Sequence, residues 1–141
     1  MSKNLRINIR SFSYKNGIPE DKSGNGGGFA FDCRGILNPG RIEEFKVQTG
    51  RDKEVIDFLE KNTKMPEFIS SAIAMVEISV EDYLARNFTN LDINFGCTGG
   101  QHRSVYAADY MAKHLSEKFP GADVKVEHVV QEEKNWINKP Y

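Results

Sequence analysis

"LDINFGCTGGQHRSV" occupies residues 91–105, and its reading decides the fold. Leu91, Ile93 and Phe95 alternate with Asp92 and Asn94, the two-residue period of a strand. Gly96, Gly99 and Gly100 then interrupt the chain. Val105, Tyr106, Ala108, Ala112, Leu115 and Phe119 follow at helical spacing until Pro120-Gly121 stops them. A strand, a glycine-containing loop and a helix start make an anion site for a physical reason: the first N–H groups of a helix lack internal partners, and the aligned peptide dipoles leave partial positive charge there. Gly99 and Gly100 keep side chains away from an approaching phosphate, and Thr98 and Ser104 supply hydroxyls. Arg103 brings a forked cation and His102 a donor whose charge depends on pH.

Toward the N-terminus, Leu5, Ile7 and Ile9 alternate with Arg6, Asn8 and Arg10 and predict an opening strand. Residues 21–28 are polar and glycine-rich and read as a flexible loop. Phe29-Ala30-Phe31 predicts a short strand that delivers Asp32, Cys33 and Arg34 to its end, before the turn residues Asn38-Pro39-Gly40. A helix is expected from about Asp52, its N-cap, to Lys61. A second begins near Pro66 and carries Phe68, Ile69, Ile73, Val76, Val80, Tyr83 and Leu84 along one core-facing stripe. Beyond the third helix, Val124, Val126 and Val129 predict a last strand, and residues 131–141 read as a tail. The order of elements predicts a single α/β domain over residues 1–141. Its layers are a mixed, mostly parallel central sheet and flanking helices, with the strands at 92–95 and 124–129 parallel across their helix.

Composition narrows the function classes. A chain of 141 residues that is 39% hydrophobic and 28% charged has the make-up of a soluble globular domain, without a membrane-spanning run. Met1–Arg10 lacks the apolar core of a signal peptide, so a cytoplasmic location is expected. The 19 Lys and Arg against 20 Asp and Glu give a net charge of −1, so nucleic-acid binding would need a local basic patch. Arg6, Arg10, Lys15, Arg34 and Arg41 are the candidates for it. Cys33 and Cys97, with His102, His114 and His128, have no metal-site spacing, and no metal or cofactor is expected. A nucleotide-hydrolysing P-loop is also excluded, since the two glycines required before Lys22-Ser23 are Asn16 and Asp21.

Cys97 followed five residues later by Arg103 and Ser104 is also the spacing of a cysteine-dependent phosphatase. That chemistry needs a thiolate, which a helix N-terminus and Arg103 would favour, and an acid for the leaving oxygen, for which Asp32 and Asp52 are candidates by type. The residues alone leave gripping a phosphate and cutting one both open.

Taken together, these segments resemble the C-terminal domain of the RapZ family of RNase adapter proteins. Gly96–Val105 is similar to its signature, and Phe12–Pro19 resembles its Lys-Tyr-Gly-Ile-Pro region. Phe31-Asp32-Cys33-Arg34 with Leu37-Asn38-Pro39 resembles its Phe-Asp-Val-Arg and Leu-Pro-Asn-Pro elements, and Thr49–Lys53 its Thr-Gly-x-Asp-Lys. The resemblance implies a fold similar to a phosphofructokinase subdomain and a non-catalytic sensor or adaptor that binds glucosamine-6-phosphate, contacts small regulatory RNA and a ribonuclease, and self-associates. By matching position it places Cys97, Thr98, Gly99, His102 and Arg103 at the phosphate, Asp32 at a sugar amine or hydroxyl, and Lys61 where the family has arginine. Gly40 stands where the family has a ligand-contacting histidine. The loop at Ser23–Gly28 is longer than the family's and is expected near the pocket. The family's P-loop domain has no counterpart in these residues, and its basic C-terminal segment is replaced by Gln131-Glu132-Glu133 and the residues after them.

Overall fold

The computed structural model describes residues 5–24 and 27–140; residues 25 and 26 of the glycine-rich loop lie outside the described residues. Among the described residues four strands form one sheet: β1 (Leu5–Ser13), β2 (Gly28–Asp32), β3 (Asn90–Cys97) and β4 (Ala122–His128), in the order β2-β3-β1-β4. All three strand pairs are parallel, so the mixed component expected from the sequence is not found among the described strands. The helices are α1 (Lys53–Asn62), α2 (Met65–Ala85), α3 (Arg103–Lys118) and the short α4 (Val129–Glu133), and three single 3-10 turns lie at Cys33–Gly35, Pro39–Arg41 and Glu43–Phe45.

The connections follow from the strand order. The steps β2 to β3 and β3 to β4 run in the same direction across the sheet, so right-handed crossovers put α2 and α3 on one face, where they touch. Leu5, Ile7 and Ile9 of β1 and Leu91, Ile93 and Phe95 of β3 point to that face. There they bury against Ile69, Ala72, Val76 and Val80 of α2 and Ala107, Ala108, Met111 and Leu115 of α3. Each fully buried Leu, Ile or Val in this layer contributes about 1.5–3 kcal/mol. The α2 stripe read from the sequence is thus core, with Pro66 in the first turn.

The other face of the sheet carries the alternate residues, and they are polar. Asn8 Nδ2 donates to Asn90 Oδ1 (2.9 Å) and Asp92 Oδ1 (3.0 Å), and Arg10 reaches Asp92 Oδ2 (3.3 Å) and Glu127 Oε1 (3.2 Å). Asp92 and Asn94 of β3 lie on this polar face. Both are buried, because β3 lies inside the sheet between β2 and β1.

The C-terminal segment departs from the sequence reading. Period two continues from Val124 and Val126 to the fully buried His128, and Val129 opens α4 instead of extending the strand. His128 joins three elements: its Nε2 meets Asp109 Oδ1 on α3 at 2.8 Å, and its Nδ1 meets Ser11 Oγ on β1 at 2.6 Å. Burial opposes ionisation of Asp109, but hydrogen bonds from His128 and Arg51 prevail and hold its carboxyl below the usual range. An ionised Asp109 has no proton to give, so His128 Nε2–H donates to it, and Nδ1 is left to meet the Ser11 hydroxyl. With Ser11 and His128 both fully buried, this serine–histidine–aspartate chain is a structural pin out of a substrate's reach. The residues read as a tail begin inside α4, where Gln131 is buried, and Trp136 packs edge-on against His128 beneath the Arg51 guanidinium.

Candidate functional site

β1 and β3 are neighbours whose chains leave in opposite directions, β1 toward β2 and β3 toward β4. In an open parallel sheet this is the place where a ligand crevice forms, at the carboxyl ends of the strands. A cavity of about 600 Å³ opens there, beyond Ser13 and Cys97. Cys97, Thr98, Gly99, Gln101, His102 and Arg103 form its floor from the loop and the first turn of α3. Lys15 and Asn16 approach from the end of β1, Asn38 from the turn after β2, and Val130 and Lys134 from the C-terminal segment. Ser13 Oγ donates to Thr98 O (2.6 Å) and accepts from Lys15 N (3.2 Å), tying the two strand ends together.

The two residues that open α3 are both buried. Arg103 is 4% exposed; its Nη1 donates to Ile36 O (2.8 Å) and Arg34 O (3.2 Å), and its Nε is buried without an acceptor. Among the described residues it makes no ion pair. His102 Nε2 donates to Phe45 O at 2.7 Å, and Gln101 Nε2 donates to Lys46 O and Gln48 O, each at 2.8 Å. These contacts fasten the 3-10 turn at Glu43–Phe45 and the chain after it to the loop. Burial, and then the Arg103 charge, push the His102 imidazole below its ordinary value. It is therefore a neutral strut near pH 7, where the sequence suggested a titrating donor.

A depressed folded-state value means that the His102 contribution is present above its unfolded value of 6.5 and is lost as acid charges the ring. We expect stability in urea to fall as pH drops below 6.5, and His102→Gln, which cannot titrate, to flatten that part of the profile. An unchanged slope would remove His102 as the cause.

The other predicted residues divide clearly. Gly100 and Ser104 belong to the loop and helix start but not to the cavity wall. Gly100 has φ +66°, and a Cβ there would lie 2.7 Å from Val130 Cγ2, so its glycine serves the backbone, whereas Gly99 has open space around it. Ser104 Oγ is buried 3.1 Å from Cys97 Sγ. Asp32 and Arg34 are occupied with each other: Arg34 Nη2 donates to Oδ2 at 2.7 Å and Nε to Oδ1 at 2.9 Å, and this pairing holds the Asp32 carboxyl below its usual range. Arg34 also lies 4.0 Å over the Tyr14 ring.

Lys61 is exposed in the last turn of α1 and does not line the cavity. Of the residues read as a basic patch, Arg10 pairs with Asp92 and Glu127, Arg6 and Arg41 are exposed on β1 and the second 3-10 turn, and Lys15 lines the cavity. Gly27 and Gly28, at the end of the glycine-rich loop, line a different cavity with Tyr83 and Phe88, so this part of the loop is away from the loop before α3. Among the described residues no cluster of His, Cys, Asp and Glu could hold a metal, and no helix is long and apolar enough to cross a membrane.

Sequence reasoning assigned no pocket role to Ser13, Asn16, Asn38, Gln101, Val130 or Lys134. The signal for the first two was their place just beyond a strand destined to neighbour β3. Nothing in the sequence marked Lys134.

A parallel α/β sheet with a glycine loop, a helix start and a cleft at its switch point is the class that fold and site define. The chain belongs to the RapZ C-terminal domain family, whose model matches residues 5–132. It is 40% identical over 126 residues to a protein of Ruminiclostridium cellulolyticum described as a nucleotide-binding protein, a match covering 89% of this chain and 41% of that one. Proteins with the same description from Glaesserella parasuis and Shewanella halifaxensis are 38% and 37% identical over 126 and 117 residues, covering 42% and 39% of their lengths. The chain thus spans about two fifths of the length of these relatives.

Proposed function

We propose that this domain binds a small phosphorylated metabolite in the cavity at the start of α3 and acts as a regulatory sensor or adaptor, without cleaving the ester. The observation that carries this reading is Arg103: a guanidinium 4% exposed, with no acidic partner among the described residues and an unused Nε, at a cavity floored by a glycine loop and a helix N-terminus. A buried charge costs several kcal/mol unless it is compensated, and a phosphate dianion at the loop supplies that compensation.

Two features weigh against phosphatase chemistry. Among the described residues no Asp or Glu lines the cavity to protonate a leaving oxygen. Asp32 is ionised and held by Arg34, and Asp52 Oδ2 accepts from Thr49 N at 2.7 Å. The RNA-facing role implied by the family resemblance is an adaptor's role and belongs to the same proposal. Its surface would lie outside the cavity.

Thermal unfolding with inorganic phosphate, glucosamine-6-phosphate, N-acetylglucosamine-6-phosphate and ATP tests the reading. A ligand at 100 times its dissociation constant should add about 2.7 kcal/mol. Wild type and Cys97→Ser should both bind the preferred ester and release no phosphate from an aryl phosphate. Turnover that Cys97→Ser abolishes would establish the enzyme instead, and no shift with any phosphate compound would end the sensor reading.

A further inference from the structure

Cys33 and Cys97 are the two cysteines of the chain, both are free and both are buried. The register of the sheet sets them side by side. β2 and β3 pair in parallel with Phe31 opposite Phe95 and Asp32 opposite Gly96. Asp32 is still extended, with φ −92° and ψ 110°, so the register carries one step further and brings Cys33 opposite Cys97, the last residue of β3. The two-residue period puts both cysteines on the face of Phe31 and Phe95, and both belong to the core cluster formed with α2 and α3.

Neighbouring strands lie about 4.8 Å apart, and a disulfide joins Cα atoms about 4.4–6.8 Å apart. Cys33 opens the 3-10 turn at Cys33–Gly35, past the end of the ladder, so its side chain is not held as that of a paired strand residue is. The two thiols differ in access. Cys97 lines the cavity, with its Sγ 3.1 Å from Ser104 Oγ, whereas Cys33 has no exposed surface. Burial, and next the proximity of Cys97, push the Cys33 thiol well above its ordinary value, so it is protonated near pH 7.

We infer that Cys33 and Cys97 are a redox pair: a peroxide entering the cavity oxidises Cys97, and Cys33 then closes an intramolecular disulfide with it. In the first step the Cys97 sulfur attacks the peroxide, the O–O bond breaks, and a sulfenic acid and water result. In the second the Cys33 sulfur attacks the Cys97 sulfur, the S–OH bond breaks, and the hydroxyl leaves as water with the Cys33 proton. The thiols together lose two electrons and two protons, and one hydrogen peroxide becomes two waters. Closure takes Cys97 Sγ from Ser104 Oγ and from the cavity wall, so the floor of the cavity responds to oxidation whatever the cavity holds. The inference goes beyond the phosphate reading and does not depend on it.

Hydrogen peroxide at one equivalent, followed by alkylation of the remaining thiols in denaturant and measurement of the intact mass, tests the pair. The expected product is a single chain lighter by its two thiol hydrogens, with no alkylated cysteine, and dithiothreitol should restore alkylation at both positions. In Cys33→Ala the reaction should stop at Cys97, as a sulfenic acid that dimedone traps, and further peroxide should carry it to a sulfinic acid that dithiothreitol does not reverse. Wild-type thiols that both remain open to alkylation, a covalent dimer as the main product, or a Cys97 sulfinic acid beside an intact Cys33 thiol would each overturn the inference. Phosphate binding is read separately, by the thermal shift of the reduced protein.

Discussion

Gly50→Ala should unfold this domain more readily than any other single methyl addition near the site. Gly50 lies buried in the turn before α1, and its N donates to Gln101 O at 3.0 Å. A Cβ there would collide with the carbonyl oxygen of His102 and lie 2.5 Å from Tyr106 N and 3.1 Å from Val105 Cβ. Those first two atoms are the ends of the hydrogen bond from Tyr106 N to His102 O that opens α3. Neither can swing aside as a side chain would, so the turn or the helix must shift. Overpacking of this kind costs about 3 kcal/mol. Urea denaturation followed by circular dichroism measures it, and Gly99→Ala is the matched control. Gly99 has nothing within 4 Å of an added methyl, so its substitution should leave stability within about 0.5 kcal/mol while obstructing the anion. Equal stability of Gly50→Ala and wild type would show that the close seating of this turn on α3 is not required.

The parts of this protein legible in its sequence are those where one local pattern decides. Leu5, Ile7 and Ile9 and the long α2 stripe announce their core faces by period, and the unit at 91–105 announces strand, loop and helix in order. Val129 misleads because three valines close together outweigh the stricter two-residue period, which ends on His128. Residue type and position mark Arg103 as a cation for phosphate, but its burial and its two carbonyl partners come from a turn almost seventy residues earlier in the chain. No local pattern encodes such a meeting. Gly100 reads as a means of ligand access, yet Val130, which approaches it, arrives from α4, an element absent from the sequence reading. Asp52 illustrates a subtler limit. It takes the N-cap backbone position, but its carboxylate turns back to Thr49 N and leaves the helix amides without a side-chain cap. Residue type fixes its place and not its partner.

Arg103→Met should reduce phosphate-ester affinity by roughly 10- to 100-fold, the worth of about 1.5–3 kcal/mol for hydrogen bonding to a charged group. Methionine keeps much of the side-chain volume, so the change isolates charge and donors from packing. It also leaves Ile36 O and Arg34 O without the Nη1 donor, and each buried acceptor stranded in this way costs about 1–3 kcal/mol, so stability in the absence of ligand should fall as well. Removing an uncompensated buried charge acts in the opposite direction. The two roles separate by comparison with Arg103→Lys, whose ammonium restores charge but cannot reproduce the forked geometry. If the charge at the loop matters most, lysine should recover much of the affinity while remaining less stable than wild type. If Arg103 is only a strut for the turn after β2, both variants should lose stability and still bind phosphate esters at wild-type strength. The anion site would then reduce to the loop amides and the cavity-lining Lys15 and Lys134. The geometry favours the first outcome: a strut needs only the Nη1 end of the guanidinium, and Arg103 also lines the cavity and carries a charge with no acidic partner among the described residues.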